Sequence, residues 1–210
     1  MWIHGPDDNE QQLNQVMPHI SLQNFVGVSP RGTSLQDSYP NGVCTYAWDD
    51  SPEQIATALH RVIDCVRLAR ERFNIDQNRI FLAGYDAGGT MALRLAWAAP
   101  RSFAGVASFN GQFPRTHSPL RQYNECRQLP LMLAFGRDSV DYSRAHLNED
   151  LRLLHSAGFQ KQTIHQYPCG DELVTQMLKD FNAWVMKLVN GYDMNDTADT
   201  RYQMRFENPN

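Results

Sequence analysis

Asp86 has the clearest chemical setting of any residue in this chain. It stands at the centre of the turn Gly84-Tyr85-Asp86-Ala87-Gly88-Gly89. The apolar run Ile80-Phe81-Leu82-Ala83 precedes that turn, and a segment rich in Ala, Leu and Met follows it. The run reads as a buried parallel strand and the segment as a buried helix. Small flanking residues let strand and helix come close around it. A carboxylate held there can act as a nucleophile. It can also move a proton, if burial or a like charge raises its pKa from ~4.

The elements around this turn must build one domain. At 210 residues, the chain is long enough for a full α/β core. The formal net charge is -4 and the basic residues form no long run, which argues against nucleic acid as a partner. No apolar stretch approaches the ~18–20 residues of a membrane span. The N-terminus lacks a basic region followed by an apolar core, so it does not read as a signal peptide. Cys44, Cys65, Cys126 and Cys169 have no metal-like spacing and read as free thiols of a cytoplasmic protein.

Taken in order, Trp2-Ile3-His4-Gly5 reads as the end of a strand running into a loop. Either Met1 is the true start and the sheet is short at this edge, or upstream residues are missing. Residues 8–17 carry a short helical pattern, and Phe25–Val28 reads as a second strand. A long Pro/Gly/Ser-rich loop, 29–50, has the length of a functional loop or lid. Ser51-Pro52-Glu53-Gln54 is a helix start, with Ser51 as cap and Gln54 completing a capping box. That helix runs to about Phe73 and contains His60 and Cys65, both read as structural. Residues 103–109, 131–136 and 162–167 read as strands, and 142–157 and 173–189 as helices. Strands alternating with helices imply a doubly wound, mostly parallel sheet in one domain, 1–189. The polar tail 190–210 reads as disordered or draped on the surface.

With these residues in view, the chain resembles an α/β-hydrolase of the carboxylesterase/phospholipase group, which includes dienelactone hydrolases and acyl-protein thioesterases. Four markers stand in that family's order. They are His4-Gly5, Gly84-x-Asp86-x-Gly88, Gly136-Arg137-Asp138, and Tyr167-Pro168-Cys169-Gly170-Asp171-Glu172-Leu173. The resemblance implies an ester-like small-molecule ligand, no cofactor, and a serine, histidine and aspartate triad. Here the serine position is Asp86 and the histidine position is Asp171. The acid loop has Asp138 one residue early, Ser139 in the acid's slot, and Asp141 as another candidate. The family's oxyanion donors fall on Ala87 and on Pro6, which has no N–H to give.

The leading expectation is therefore a degenerate triad in a fold that no longer hydrolyses esters and serves binding or assembly, in a homo-oligomer or a larger protein complex. A second reading makes Asp86 the nucleophile, or Asp86 and Asp171 an acid–base pair. It needs a histidine, and His165 and His117 are the candidates. A third gathers Asp86, Asp171 and Asp138 or Asp141 around a hard cation. All three place Asp171 on a loop facing Asp86, where two like charges raise one pKa.

Overall fold

The computed structural model describes residues 1–191 except Asn41 and residues 117–121. The elements in chain order are β1 (Trp2–Ile3), α1 (Gln12–Ile20), β2 (Ser34–Ser38), β3 (Cys44–Ala47) and α2 (Pro52–Arg72). Next come β4 (Phe81–Tyr85), α3 (Ala87–Ala98), β5 (Gly105–Phe109) and α4 (Tyr123–Cys126). The last are β6 (Leu131–Gly136), α5 (Arg144–Ser156), β7 (Gln162–Tyr167) and α6 (Thr175–Val189). The expected tail, 190–210, lies outside the described residues beyond Gly191.

Five strands form one parallel sheet in the order β1-β4-β5-β6-β7. Helices cover both faces, so the inner strands β4, β5 and β6 are buried and largely apolar, whereas the edge strand β7 carries Gln162, Thr163, His165 and Gln166 and is only partly buried. The period of two survives as a choice of layer. Leu82, Val106 and Leu131 pack with α2 and α3, whereas Phe81, Ala107 and Met132 pack with α1 and α6. Trp97 and Trp184 anchor the two layers, each contributing the large apolar area typical of a core aromatic.

β1 is only two residues long, as the sequence implies. Its ladder is extended by the Met1 amine, which donates to Phe81 O at 2.8 Å, and by Ala83 N, which donates to Met1 O at 2.9 Å. Ser51 caps α2 by accepting from Gln54 N at 3.4 Å. The reciprocal half of the capping box does not form, because Ser51 N donates to Asp49 Oδ1 at 2.8 Å.

Two expectations need correction. Phe25–Val28 is not a strand of the sheet: its one ladder-like contact is Trp2 N to Val28 O at 2.8 Å. The loop 29–50 is not all loop, since β2 and β3 pair within it as an antiparallel hairpin. The hairpin is closed by Gly42 N, which donates to Tyr39 O at 2.9 Å, and by Tyr39 N, which donates to Val43 O at 2.8 Å. The hairpin leans on the loop after β1 through a bridge between Asp8 and Tyr46.

Candidate functional site

The turn after β4 has the expected geometry. Asp86 sits at φ 51, ψ -121, in a region that β-carbon-bearing residues rarely occupy. The main chain fixes it there: Asp86 N donates to Phe109 O at 2.7 Å, and Thr90 N donates to Asp86 O at 3.0 Å. The flanking glycines are required by contact. A Cβ at Gly84 would stand 2.3 Å from Gly88 O, and one at Gly88 would stand 2.2 Å from His4 O. β4, α3 and the end of β1 thus meet backbone to backbone beneath Asp86.

The Asp86 carboxyl is half-buried, and its pKa is raised. Loss of solvent is the largest cause, followed by the negative charge of Asp141; the Ala87 N–H offsets part of this, and the Asp171 charge adds to the rise. The charges of Asp171 and Asp141 therefore act on Asp86 from one site. The neighbouring Tyr85 phenol is pushed up to about 12, chiefly by burial and then by Asp86, and stays protonated.

Asp171 has the opposite environment. Its Oδ1 accepts a short hydrogen bond from Ser139 Oγ and another from Asp141 N at 3.3 Å. Its Oδ2 accepts from Val140 N at 3.1 Å. Its pKa is lowered, first by the Ser139 hydroxyl and then, against some desolvation, by the two N–H groups. Ser139 is buried, and its Oγ also accepts from Tyr142 N at 2.9 Å. The hydroxyl's single proton is thus committed to Asp171.

The main chain of Asp171 is held separately. Its carbonyl accepts from Tyr85 Oη at 2.5 Å and from Asn110 Nδ2 at 2.8 Å. Asn110 Oδ1 in turn accepts from Gly136 N at 2.9 Å, and Asn110 has φ 54. The loops after β6 and β7 touch so closely that a Cβ at Gly136 would lie 1.8 Å from Gly170 O. Neither Tyr85 nor Asn110 stood out in the sequence as a positioning residue. The available signal was Asn110-Gly111, a turn pair directly after a strand.

Asp138, expected as the acid, turns away: its two carboxylate oxygens each accept from Arg137 at 3.0 Å, in an exposed pair. Pro6 is exposed on the loop after β1 and followed by Asp7 at φ 53. His4 lies fully buried below the site. Its Nε2 accepts from Gly32 N at 3.0 Å, which leaves Nδ1 as the protonated nitrogen 2.8 Å from Gly5 O. Burial lowers its pKa, consistent with a neutral ring packed 4.9 Å from Trp48. His165 faces Asp180, 3.7 Å away, and stacks on Tyr167. His117 lies outside the described residues. Among the described residues, no three His, Cys, Asp or Glu side chains gather as a metal cluster would require.

The sequence profile of the family described as Phospholipase/Carboxylesterase matches residues 1–189. NocK of Nocardia uniformis subsp. tsuyamanensis, which is named as an esterase, is 39% identical over 140 residues. That match covers 64% of this chain but only 38% of NocK, so the chain spans well under half the length of that relative. A SOBER1-like protein of Arabidopsis thaliana, named as a carboxylesterase, is 23% identical over 210 residues, covering 88% of this chain and 76% of its own. Among solved structures, Arabidopsis thaliana SOBER1 superposes with a TM-score of 0.69 at 18% identity, over 90% of this chain and 97% of that one. Zea mays acyl-protein thioesterase 2 gives 0.63 at 19% identity, over 90% and 92%. The parallel sheet, the turn at Asp86 and the profile match agree: the chain belongs to the phospholipase/carboxylesterase family and has the α/β-hydrolase fold.

Proposed function

We propose that this chain carries a degenerate triad, has given up ester hydrolysis, and uses the site for binding or assembly. The observation that supports this reading is the Asp171–Ser139 pair. A serine esterase needs a nucleophilic hydroxyl and a base that moves its proton. Here the base position is a carboxylate with a lowered pKa, saturated by one O–H and two N–H donors. It has no proton to give and little basicity to offer near neutral pH. Asp86 has no oxygen-bound proton to lose when ionised, and among the described residues no histidine hydrogen-bonds to it. Pro6 adds to this, since it cannot supply an oxyanion N–H.

The natural ligand class under this reading is an ester-like or acyl small molecule held without turnover; a second copy of the chain or a larger protein complex is the assembly alternative. The test is turnover of p-nitrophenyl acetate and butyrate by purified protein. The expected rate is that of buffer alone.

One observation favours a second reading. The strained φ of 51 at Asp86 keeps the geometry of a presented nucleophile. In that chemistry a carboxylate oxygen attacks the acyl carbon, the alkoxide leaves, and water reopens the resulting anhydride. Turnover that disappears in Asp86→Ala would establish it and overturn the non-catalytic reading.

A further inference from the structure

Outside β1, the segment Phe25–Val28 lies along the sheet without completing it. Trp2 N donates to Val28 O at 2.8 Å, and Ser29 Oγ donates to Trp2 O at 2.8 Å. The segment keeps the period of two of an extended chain. Phe25 packs into the layer of α1 and α6, and a Cβ at Gly27 would lie 2.7 Å from Met17 Sδ in that layer, whereas Val26 between them is 38% exposed. Among the described residues, the main chain of Phe25, Val26 and Gly27 makes no main-chain hydrogen bond.

A bare sheet border is a template for another strand, and proteins ordinarily guard such borders with charges, proline or a covering element. Residues 22–28 carry neither a charge nor a proline. Beside Val26 lies a groove of about 760 Å³, walled by Val66, Ala69 and Phe73 of α2. Phe73 is 52% exposed, and Leu22 on the same groove is 73% exposed.

The lack of charge selects the occupant. A two-fold axis sets an edge against the same edge of its mate, so a charged border would repel its own copy. An uncharged, apolar border is self-complementary. We propose that Phe25–Val28 pairs with the same segment of a second copy, antiparallel about a two-fold axis at Val26, and that the second copy closes the open side of the groove. Asp86, Asp141 and Asp171 do not line this groove, so the pairing stands or falls independently of the reading of that site.

The register follows from the one bond already made. Val28 O is committed to β1, so alternation turns the main-chain groups of Val26 the same way and those of Phe25 and Gly27 outward. Phe25 of each copy then faces Gly27 of the other, and each such pair exchanges two N–H···O bonds. The two Val26 residues form the non-hydrogen-bonded pair between them, with Cα atoms roughly 4.5 Å apart. A disulfide spans roughly 4.4–6.8 Å between Cα atoms.

The experiment combines solution mass with cross-linking. By light scattering over a concentration series, the wild type should rise from the monomer mass of 24.0 kDa to twice that value. Val26→Lys, which sets two like charges opposite each other at an exposed position, should stay at the monomer mass. Under mild oxidation, Val26→Cys should form a covalent dimer at least ~tenfold faster than the wild type, whose four native thiols set the background. Asn24→Cys should not, because the axis places the two copies of that residue at opposite ends of the pairing. A wild type that stays monomeric at every concentration overturns the proposal, and protected Phe25 and Gly27 amides in that monomer would give the border to another occupant. A dimer that survives Val26→Lys overturns it too, as does cross-linking of Asn24→Cys that matches Val26→Cys.

Discussion

Under the proposed reading, the two halves of the site depart from an esterase in different ways. At the Asp86 half, the main chain is intact: the strained turn, the crowded glycines and the buried helix behind them are all present, and one side chain has changed. At the Asp171 half, the partners themselves are exchanged. On that reading a carboxylate occupies the base position and a hydroxyl the acid position; the hydrogen bond between them runs from Ser139 to Asp171. On that reading the first half is one replacement away from a serine nucleophile. The second needs two coordinated replacements, because a histidine at 171 would face a serine rather than a carboxylate. A single substitution at either half therefore says little about the other.

The strongest way to break the comparison is to attack the backbone that both halves share in kind. Gly88→Ala places a Cβ 2.2 Å from His4 O, and Gly136→Ala places one 1.8 Å from Gly170 O. Each obstacle is main chain and cannot rotate aside. Each variant should lose ~3 kcal/mol or more, at the upper end of overpacking costs, read from urea midpoints. If either retained wild-type stability, the close approach at that half would be disproved.

Next in size is the restoration of chemistry. The variant Asp86→Ser/Asp171→His/Ser139→Asp should turn over p-nitrophenyl butyrate at least ~10²-fold above the wild-type background. Asp86→Ser/Asp171→His without the third change should fall well short, since the residues act as a unit. Pro6 should hold even the triple variant below an ordinary esterase by roughly 10²–10³-fold, the usual effect of one missing oxyanion donor. Equal rates for the double and triple variants would show that Ser139 is not at the acid position.

Smaller effects separate the two carboxylates. Asp171→Ala leaves Ser139 and two N–H groups without their acceptor and should cost roughly 1–2 kcal/mol at neutral pH. The pKa of Asp171 is lowered, so its contribution is present above the unfolded pKa of ~3.9 and is lost as pH falls through the lower folded value. Asp86 has the opposite sign. Its raised pKa makes its contribution complete below ~3.9 and lost as pH rises through the higher folded value. Asp86→Asn should accordingly stabilise the protein near neutrality by roughly 0.2–1 kcal/mol, and the gain should vanish in acid. Asparagine also tolerates positive φ, so the turn is not the variable. Urea midpoints of both variants from pH 3 to 8 would show the opposing slopes; slopes of the same sign would refute the assignment of environments.

Much of this fold was legible because its signals are local. Ser51-Pro52 starts α2, the glycine turn follows β4, and the apolar runs mark buried strands. What escaped depended on partners outside the segment itself. Phe25–Val28 has a strand's composition but, among the described residues, makes one main-chain contact with β1 and no ladder, whereas Ser34–Ser38 has a weak composition and pairs with Cys44–Ala47. The same division holds in the site. Asp86 could be placed from its own turn. That Asp138 would pair with Arg137, leaving Ser139 to meet Asp171, depends on how the loops after β6 and β7 stack, which neither loop encodes alone.

The anchoring of Asp171 by its carbonyl has a practical consequence. Tyr85 and Asn110 hold that residue through an atom that every amino acid possesses. Position 171 is therefore an interchangeable socket, whose occupant can be changed while its mount stays still. Saturation mutagenesis there would sample the chemistry of twenty side chains on a nearly constant frame, the condition under which a directed-evolution library reports on reactivity rather than on folding.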